Sequence, residues 1–275
     1  MMKAFSQIMV RIPLILWAII VIFPLVWMFM GAFKTNAEIF TSPWALPQNF
    51  NFSNFARAWN DFNIGRAFLN SFFVTALGSI LTLALSIPTA YALERIRSKM
   101  GEVLINVYLA SMMIPAVLGW IPLFFLLMKL NLLDNLWALS LIYAISHVPF
   151  TIFILIGFIG NIPKELEEAA TVDGMSQYGI LFKIITPLIK SGIMTVTILN
   201  AISYWNEFFM ALILLQTESN TTLGVAMNLL KTKAQYESAW GVLFAGLCIA
   251  VIPVIIFYTI FQRSITKGMT EGAIK

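Results

Sequence analysis

Residues 136–174 read "LWALSLIYAISHVPFTIFILIGFIGNIPKELEEAATVDG", in which a long apolar run is followed by a short acidic segment. The apolar run exceeds the roughly twenty residues that a helix needs to cross a bilayer. The acidic segment holds Glu165, Glu167, Glu168 and Asp173, in a chain with 13 acidic residues in all. The whole chain is 60% hydrophobic and 11% charged, whereas soluble domains carry about a quarter charged residues. The composition therefore indicates a membrane protein that keeps much of its negative charge in one loop.

Six stretches are long and apolar enough to be transmembrane helices, and their unbroken character favours helices over the alternating strands of a barrel. The first stretch follows Lys3 and Arg11, as in a signal peptide. It is too long for the apolar region of such a peptide and lacks a small-x-small cleavage site, so we expect an uncleaved span. Pro115, Trp120 and Pro122 are expected to shape bends in the third stretch. The predicted spans are 12–33, 67–93, 103–128, 136–160, 193–215 and 239–261.

The distribution of basic residues predicts the orientation of these spans. If both termini lie inside the cell, eleven of the 17 lysines and arginines face the cytosol and six face outward. Cytoplasmic loops carry the excess of basic residues, so the chain is predicted to be N-in and C-in. Four regions follow: a first helix with its external loop (1–66), a core of five spans (67–262), a cytosolic acidic loop within that core (161–187) and a cytosolic tail (263–275).

The acidic loop has the start and stop signals of two short helices. Asn161 is expected to cap a helix that begins near Pro163, which suits a first turn. The carboxylates then lie near the positive end of the helix dipole. Gly174 is placed for a left-handed stop, a second short helix begins near Ser176, and Pro187 introduces the fifth span. These features alone are equally consistent with a solvated hairpin whose acids keep it in water.

The spacing within the loop resembles a known motif. Glu168, Ala169 and Ala170 are followed after three residues by Gly174, and after nine more by Ile184, with Pro187 closing the pattern. This resembles the EAA loop of ABC-importer permeases, with Asp173 inside the motif. The usual pattern has a leucine before the proline, and this chain has Thr186 there.

The resemblance extends to the maltose-type carbohydrate permeases. It covers nearly the whole chain and is strongest over 70–275. The segments that carry it are "NSFFVTALGSILTLALSIPTAYALERI" (70–96), "IPLFFLLMKLNLLDNLWAL" (121–139), "SYWNEFF" (203–209) and "FQRSITKGMTEGAIK" (261–275). It implies the type I ABC-importer permease fold in the cell membrane of a prokaryote. It also implies a pore shared with a second, related permease, two ATPase subunits and an external sugar-binding protein. The loop helix would dock on an ATPase subunit, with Glu168 pairing with a basic residue, Ala169 and Ala170 allowing close approach and Gly174 permitting the turn.

The chain is expected to bind no cofactor and to have no enzymatic site of its own. It contains no "GxxxxGK[ST]" phosphate loop, so ATP would be used by the partner subunits. A basic and aromatic patch for nucleic acid is absent from the sequence as well. Cys248, the single cysteine, lies in an apolar run and is expected to be a buried packing residue.

Polar residues within the spans are candidates for a substrate path. His147 lies beside Pro149 in the fourth span, and ionisable residues at membrane depth usually face an interior or a water-filled path. Asn200, Tyr204 and Glu207 recur at helical spacing, and their shared face also admits Ser203. Such a face offers the hydrogen bonds and rings that sugars require. The alternative is that these side chains bond neighbouring helices together.

Two other classes of protein fit the sequence less well. An ion-coupled secondary carrier could use His147 and Glu207 as relay groups, but such carriers usually show paired repeats of broken helices, which are not evident here. An intramembrane enzyme would need a nucleophile motif or metal ligands such as HExxH, and the chain has one histidine. No metal site is expected.

Overall fold

The computed structural model describes residues 2–96 and 98–273, with side chains described over 11–96 and 98–262. Every regular element among these residues is helical. Arg97 and Lys275, which contribute to the charge bias, lie outside the described residues. A 3-10 turn at Ala116–Gly119 and a π-helical turn at Leu181–Ile185 interrupt the series. The helices are α1 (Met2–Ala32), α2 (Asn36–Thr41), α3 (Ser53–Asn60), α4 (Ile64–Arg95), α5 (Lys99–Met113), α6 (Trp120–Lys129), α7 (Leu136–Gly160), α8 (Glu165–Val172), α9 (Gln177–Ile180), α10 (Thr186–Leu188), α11 (Lys190–Asn206), α12 (Phe209–Leu214), α13 (Leu223–Glu237) and α14 (Trp240–Ala273).

Four helices are long and apolar enough to cross a membrane, and the number rises to six if each of two bent helix pairs is counted as one span. The predicted all-α membrane protein is therefore confirmed. The four helical stretches are Arg11–Ala32, Ile64–Arg95, Leu136–Gly160 and Trp240–Gln262. Helix α14 continues to Ala273. Most of the segment 263–275, which was predicted as a tail after the last span, therefore belongs to this helix.

The third predicted span is a bent pair instead of one helix. Helix α5 ends at Met113, and the segment Ala116–Lys129 continues at 95° to it. The bend follows from Pro115, because a proline forces the residue before it out of the helical region. Ile114 accordingly has φ −84° and ψ 122°. The expected bend at Pro115 is confirmed, and the predicted span 103–128 is divided between the two members of the bent pair.

The fifth predicted span is also discontinuous. The segment Gln177–Leu188 meets α11 at an angle of 77°. Helix α11 then ends at Asn206, and Glu207 is extended with φ −69° and ψ 134°. A separate short helix, α12, follows, so the single helix predicted over 193–215 is wrong. The segment 216–238, between the last two predicted spans, contains helix α13.

The chain forms two compact units, Met1–Arg66 with Val225–Pro253 and Ala67–Gly224 with Val254–Lys275. In the first unit, the side chain of Lys34 is 2% exposed, and its Nζ donates to the carbonyl oxygens of Ser42 and Pro43. From helix α3, the side chain of Asn54 donates to the carbonyl oxygens of Ala32 and Lys34. These bonds fix the loop that follows α1.

The second unit contains the acidic loop and the polar residues of the spans. Its apolar core joins α4, α7 and α11 to the segment that follows the loop. Burial of apolar side chains is the main favourable term in folding, so this core determines where the loop sits. The core residues are Ala90, Tyr91, Ile152, Leu155, Ile159, Ala170, Ile180, Leu181, Ile185, Ile189 and Val196.

Candidate functional site

The loop helix α8 begins two residues later than its sequence suggests. Its first residue is Glu165, and the position before it, Lys164, makes no side-chain capping bond. Asn161 instead ends α7, so its predicted role as the N-terminal cap is wrong. Glu165, Glu167 and Glu168 occupy the first turn, where carboxylates are stabilised by the helix dipole at about 0.3–1 kcal/mol each.

The turn after α8 has the expected left-handed glycine. Gly174 has φ +82°. The amide of Met175 donates to Ala170 O at 2.9 Å and the amide of Gly174 donates to Thr171 O at 3.0 Å, which is the Schellman pattern. Ser176 then caps α9 by accepting from the amide of Gly179 at 3.2 Å. The predicted helix–turn–helix is confirmed.

The motif residues divide between the surface and the core. Glu168, Ala169, Asp173, Gly174 and Pro187 are exposed, and Ile184 is half-buried against the apolar core. In contrast, Ala170 is 6% exposed and packs within that core. Of the two alanines, only Ala169 therefore lies on the open face of α8.

A charged cluster that the sequence did not reveal holds the loop against the spans. Arg95, the last residue of α4, bonds from Nε to Glu167 Oε1 at 2.5 Å. Its Nη2 donates to Ile159 O at 3.0 Å and to Ile162 O at 2.9 Å. Tyr91 Oη lies 2.9 Å from Glu167 Oε2. The only available signal was that Arg95 ends a long apolar run in a chain with few charges.

A groove of about 840 Å³ lies beside this cluster. Its floor contains Arg95 and Glu167, and its rim contains the exposed side chains of Ile96, Val172 and Tyr178. The remaining lining residues are Pro88, Tyr91, Ala92, Lys164, Glu168, Thr171, Gln177 and Leu181. Exposed Glu168 thus stands at the edge of a mainly apolar groove.

The predicted polar residues of the spans do meet, in a cluster shared by α4, α7 and α11. Tyr143 and Tyr204 stack at 5.3 Å, and each is 3% exposed. Tyr204 Oη lies 2.7 Å from Thr82 Oγ1 and donates to Tyr143 O at 3.1 Å. Buried bonds of this kind join helices in a membrane. For Tyr204, the geometry favours helix-to-helix bonding over a path.

His147 is oriented by this cluster. Its Nδ1 lies 3.0 Å from Tyr143 O, and its Nε2 lies 3.0 Å from Ser203 Oγ. A carbonyl only accepts, so Nδ1 carries the hydrogen, and in the neutral ring Nε2 accepts from Ser203. His147 is half-buried and Ser203 is exposed, together with Ser146 and Asn206. These exposed polar residues form the open polar face of α7 and α11.

Glu207 lies outside the helix face on which it was predicted. Because α11 ends at Asn206, its side chain turns to accept from the amides of Met210 at 2.7 Å and Ala211 at 3.1 Å, at the start of α12. Tyr143 Oη also donates to it. The first amides of α12 have no helical acceptor because the helix is interrupted at Glu207, and the carboxylate of Glu207 accepts from them instead.

Asn200 faces the protein interior. It is 1% exposed, and its Nδ2 donates to Thr151 Oγ1 at 3.0 Å. Its Oδ1 has no partner within the part of the chain that the structure describes. Thr82, Tyr143 and Thr151 were missed from the sequence. Tyr143 and Thr151 lie four residues before and after His147 on one helix, and that spacing was the signal that could have found them.

A second loop is tied down at Asp134. Its carboxylate accepts from the amides of Gln216 at 2.9 Å and Thr217 at 3.1 Å and from Thr217 Oγ1 at 2.7 Å. Partial burial opposes ionisation, but these bonds outweigh it and lower the pKa of Asp134 below its ordinary value. We call Asp134, Gln216, Thr217 and Asn220 the Asp134 clasp. Among the described residues, no group of three metal-binding side chains occurs.

Comparison with known proteins places the chain in a family. Residues 83–271 match the family model described as binding-protein-dependent transport system inner membrane component. The diacetylchitobiose uptake system permease protein NgcG of Streptomyces coelicolor is 35% identical, over 95% of this chain and 87% of that protein. The sulfoquinovosyl glycerol transport system permease protein SmoH of Agrobacterium fabrum is 33% identical, over 92% of this chain and 89% of that protein.

A solved structure has the same fold. A chain of a bacterial ABC transporter involved in the import of the acidic polysaccharide alginate superposes with a TM-score of 0.84 at 27% identity, over 94% of this chain and 96% of that one. The predicted ABC-importer permease fold is therefore confirmed, as is a multi-pass protein of the inner membrane. The chain belongs to the family of binding-protein-dependent transport system inner membrane components.

Proposed function

We propose that this chain is one of two related permease subunits in an ATP-driven importer of sugars or oligosaccharides. It forms half of the translocation path, receives substrate from an external binding protein and is coupled to a separate ATPase through the loop 161–187. The family assignment favours this function over an ion-coupled carrier that uses His147 and Glu207. A carbohydrate substrate is supported by the relatives, whose names specify diacetylchitobiose and sulfoquinovosyl glycerol uptake.

The observation that carries the docking role is the exposed face of α8. Glu168 and Ala169 are open on it, while Glu167 and Ala170 are held by the rest of the unit. The face thus presents the free carboxylate of Glu168 beside the small residue Ala169, on a helix that is fixed from behind. A partner with a basic groove can approach closely there, and complementary charge gives such a contact its specificity.

In this function the open polar face of α7 and α11 borders the sugar path. Of the predicted path residues, Ser203 lies on this face together with Ser146 and Asn206, and His147 is bonded to Ser203. Polar side chains on the open side of a membrane helix are costly against lipid, so they mark a path or a contact with another subunit. Asn200, Tyr204 and Glu207 support that face from behind.

The orientation is also a proposal, supported by the excess of basic residues in the segments assigned to the cytosol. In intact cells, with Cys248→Ala as background, cysteines at positions 59 and 231 should react with an impermeant thiol reagent. Cysteines at positions 99 and 183 should react only after the membrane is opened. Reaction at 99 or 183 in intact cells would overturn the orientation.

The docking role is tested by reversing the exposed charge. Glu168→Lys should insert normally, because it touches no span, and should lose the ATPase from the purified complex since like charges then meet. Glu237→Lys, an exposed charge reversal at the end of α13, is the matched control and should retain the ATPase. Uptake is measured in proteoliposomes with labelled diacetylchitobiose and alginate oligosaccharides as probes. Normal ATPase retention and hydrolysis in Glu168→Lys would refute docking through this residue.

A further inference from the structure

We propose that Arg95 is a positioning residue, which with Glu167 and Tyr91 forms a joint that transmits movement of the docked loop to α4 and α7. The joint goes beyond the docking contact itself, because none of the three residues lies on the exposed face of α8. It rests on the proposed function, since it has a role only if an ATPase moves the loop.

The guanidinium of Arg95 connects three elements at once. Nε bonds to Glu167 on α8 at 2.5 Å, while Nη2 reaches Ile159 O at the end of α7 and Ile162 O just beyond it. The last carbonyls of a helix lack partners within it and carry partial negative charge, so a cation is favoured there. Arginine suits the position because its planar fork can bond in two directions.

Glu167 is fully engaged by α4. Oε1 takes the bond from Arg95, and Oε2 lies 2.9 Å from Tyr91 Oη, one turn earlier on the same helix. The side chains of Arg95 and Glu167 are only 8% and 13% exposed, so water screens the pair little. Glu167 is therefore unavailable to a docking partner, in contrast to its exposed neighbour Glu168.

The joint restrains α8 from rotating relative to α4 and α7. The backbone link between α7 and α8 is only the short segment 161–164, and the apolar contact of α8 is mainly Ala170. Without the ion pair, α8 could turn about these contacts when it is pushed. With it, a displacement of α8 is passed to the end of α4 through Arg95 and to α7 through the two carbonyls. A charge-assisted bond with low exposure is strong enough for this purpose.

The test uses the assembled complex with its ATPase and binding protein, in a Cys248→Ala background. A reporter cysteine replaces Ser146, which is exposed on α7 and belongs to neither the joint nor the docking face. Its rate of reaction with maleimide is compared between the nucleotide-free complex and the complex trapped with ATP and vanadate. The variants are Glu167→Gln, Arg95→Lys and Tyr91→Phe, and Glu165→Gln on the same helix turn is the matched control.

We expect all variants to retain the ATPase and to trap vanadate. In Glu167→Gln the ATP-dependent change in reaction rate at position 146 should shrink about tenfold, since a charge-assisted bond is lost. Arg95→Lys keeps the charge but loses the fork, so its response should fall between Glu167→Gln and the unmodified chain. Glu165→Gln should respond as the unmodified chain does. If Arg95 had only a structural role, the variants would lower the yield of assembled complex. In the complex that remained, ATP hydrolysis and the ATP-dependent change at position 146 would stay linked.

Three outcomes overturn the joint and leave the docking role of Glu168 standing. The first is a normal response in all variants. The second is loss of the ATPase in Glu167→Gln, which would make Glu167 part of the docking surface. The third is no response at position 146 even in the unmodified chain, since α7 would then not move with the ATPase. If Glu167→Gln does not assemble, Tyr91→Phe decides the matter, because it removes one hydroxyl only.

Discussion

Two polar clusters join α4 to α7, and they differ in what they leave open. In the cluster within the spans, Tyr143, Tyr204 and Thr82 bond to one another and are almost completely buried. At the loop, the ion pair of Arg95 and Glu167 is also buried, but exposed Glu168 stands next to it. The first cluster is closed and holds helices together. The second is closed on the side of the membrane helices and open on the other, which is the arrangement that a docking surface requires.

The largest loss of stability is expected when the closed cluster of Thr82, Tyr143 and Tyr204 is disrupted. Tyr204→Ala removes a buried ring and its bonds, at a cost of about 3–5 kcal/mol. Tyr204→Phe, the matched control, removes only the hydroxyl and should cost about 1 kcal/mol. Thermal unfolding of the purified complex in detergent measures both. Normal stability with a selective loss of sugar uptake in Tyr204→Ala would instead place Tyr204 on the path.

Glu207 should have the next largest effect. In Glu207→Ala, the first amides of α12 and the hydroxyl of Tyr143 lose their acceptor, at a cost of about 2 kcal/mol. Glu207→Gln keeps one acceptor oxygen and should be milder. Stability and uptake are measured together. If both variants are stable yet lose a pH dependence of uptake, Glu207 is a relay group and the structural account of it is wrong.

A substitution at Gly174 tests the loop cluster, whose outer face is exposed. An alanine side chain there meets no atom within 4 Å, so Gly174→Ala isolates the strain of φ +82°, about 1–2 kcal/mol. Gly157→Ala, in the last turn of α7, also meets open space and should not destabilise, because alanine favours a helix. We expect weaker ATPase retention in Gly174→Ala only. Equal behaviour of the two variants would show that the turn does not set the docking geometry.

The Asp134 clasp should respond to pH over a limited range. Because the folded pKa of Asp134 is lowered from the ordinary value of 3.8, its contribution to stability is present above that value. The contribution is lost as the pH falls through the lower, folded pKa. The labelling rate of Ser219→Cys, divided by that of a free thiol at the same pH, should stay constant from neutral pH down to about pH 4, whereas in Asp134→Asn this ratio is higher throughout. A rise of this ratio in the unmodified clasp already above pH 4 would contradict the lowered pKa.

The smallest effect on stability is expected at the open polar face. Ser203→Ala removes an exposed hydroxyl and should change the free energy of unfolding by less than about 0.5 kcal/mol. If this face borders the path, uptake of the diacetylchitobiose or alginate probes should still fall. Unchanged uptake of every probe would remove Ser203 from the path.

The sequence predicts the closed and open regions with unequal success. Gly174 and Ser176 have local conformational causes, so their turn and cap could be read directly. The two helix breaks within predicted spans differ in the same respect. Pro115 is a local signal that predicts the first break, whereas no local signal in the sequence predicts the second break at Glu207.

Long-range partners were beyond the reach of the sequence. Arg95 and Glu167 are separated by 72 residues, and Thr82 and Tyr204 by 122. Helical spacing placed Tyr204 on a face correctly, but which neighbour covers that face depends on the packing of three helices. The same limit explains why Ala170, adjacent to exposed Ala169, could not be assigned to the core.

The most direct test of the central claim is to identify what touches α8. A photo-crosslinking residue at position 169, exposed beside Glu168, is activated in membranes that contain the whole transporter. A second sample carries the same residue at position 237, at the end of α13. Mass spectrometry then identifies the partners. We expect position 169 to crosslink to an ATPase subunit and position 237 not to do so. Crosslinks from position 169 to lipid alone, or an ATPase crosslink from position 237, would contradict coupling through this loop.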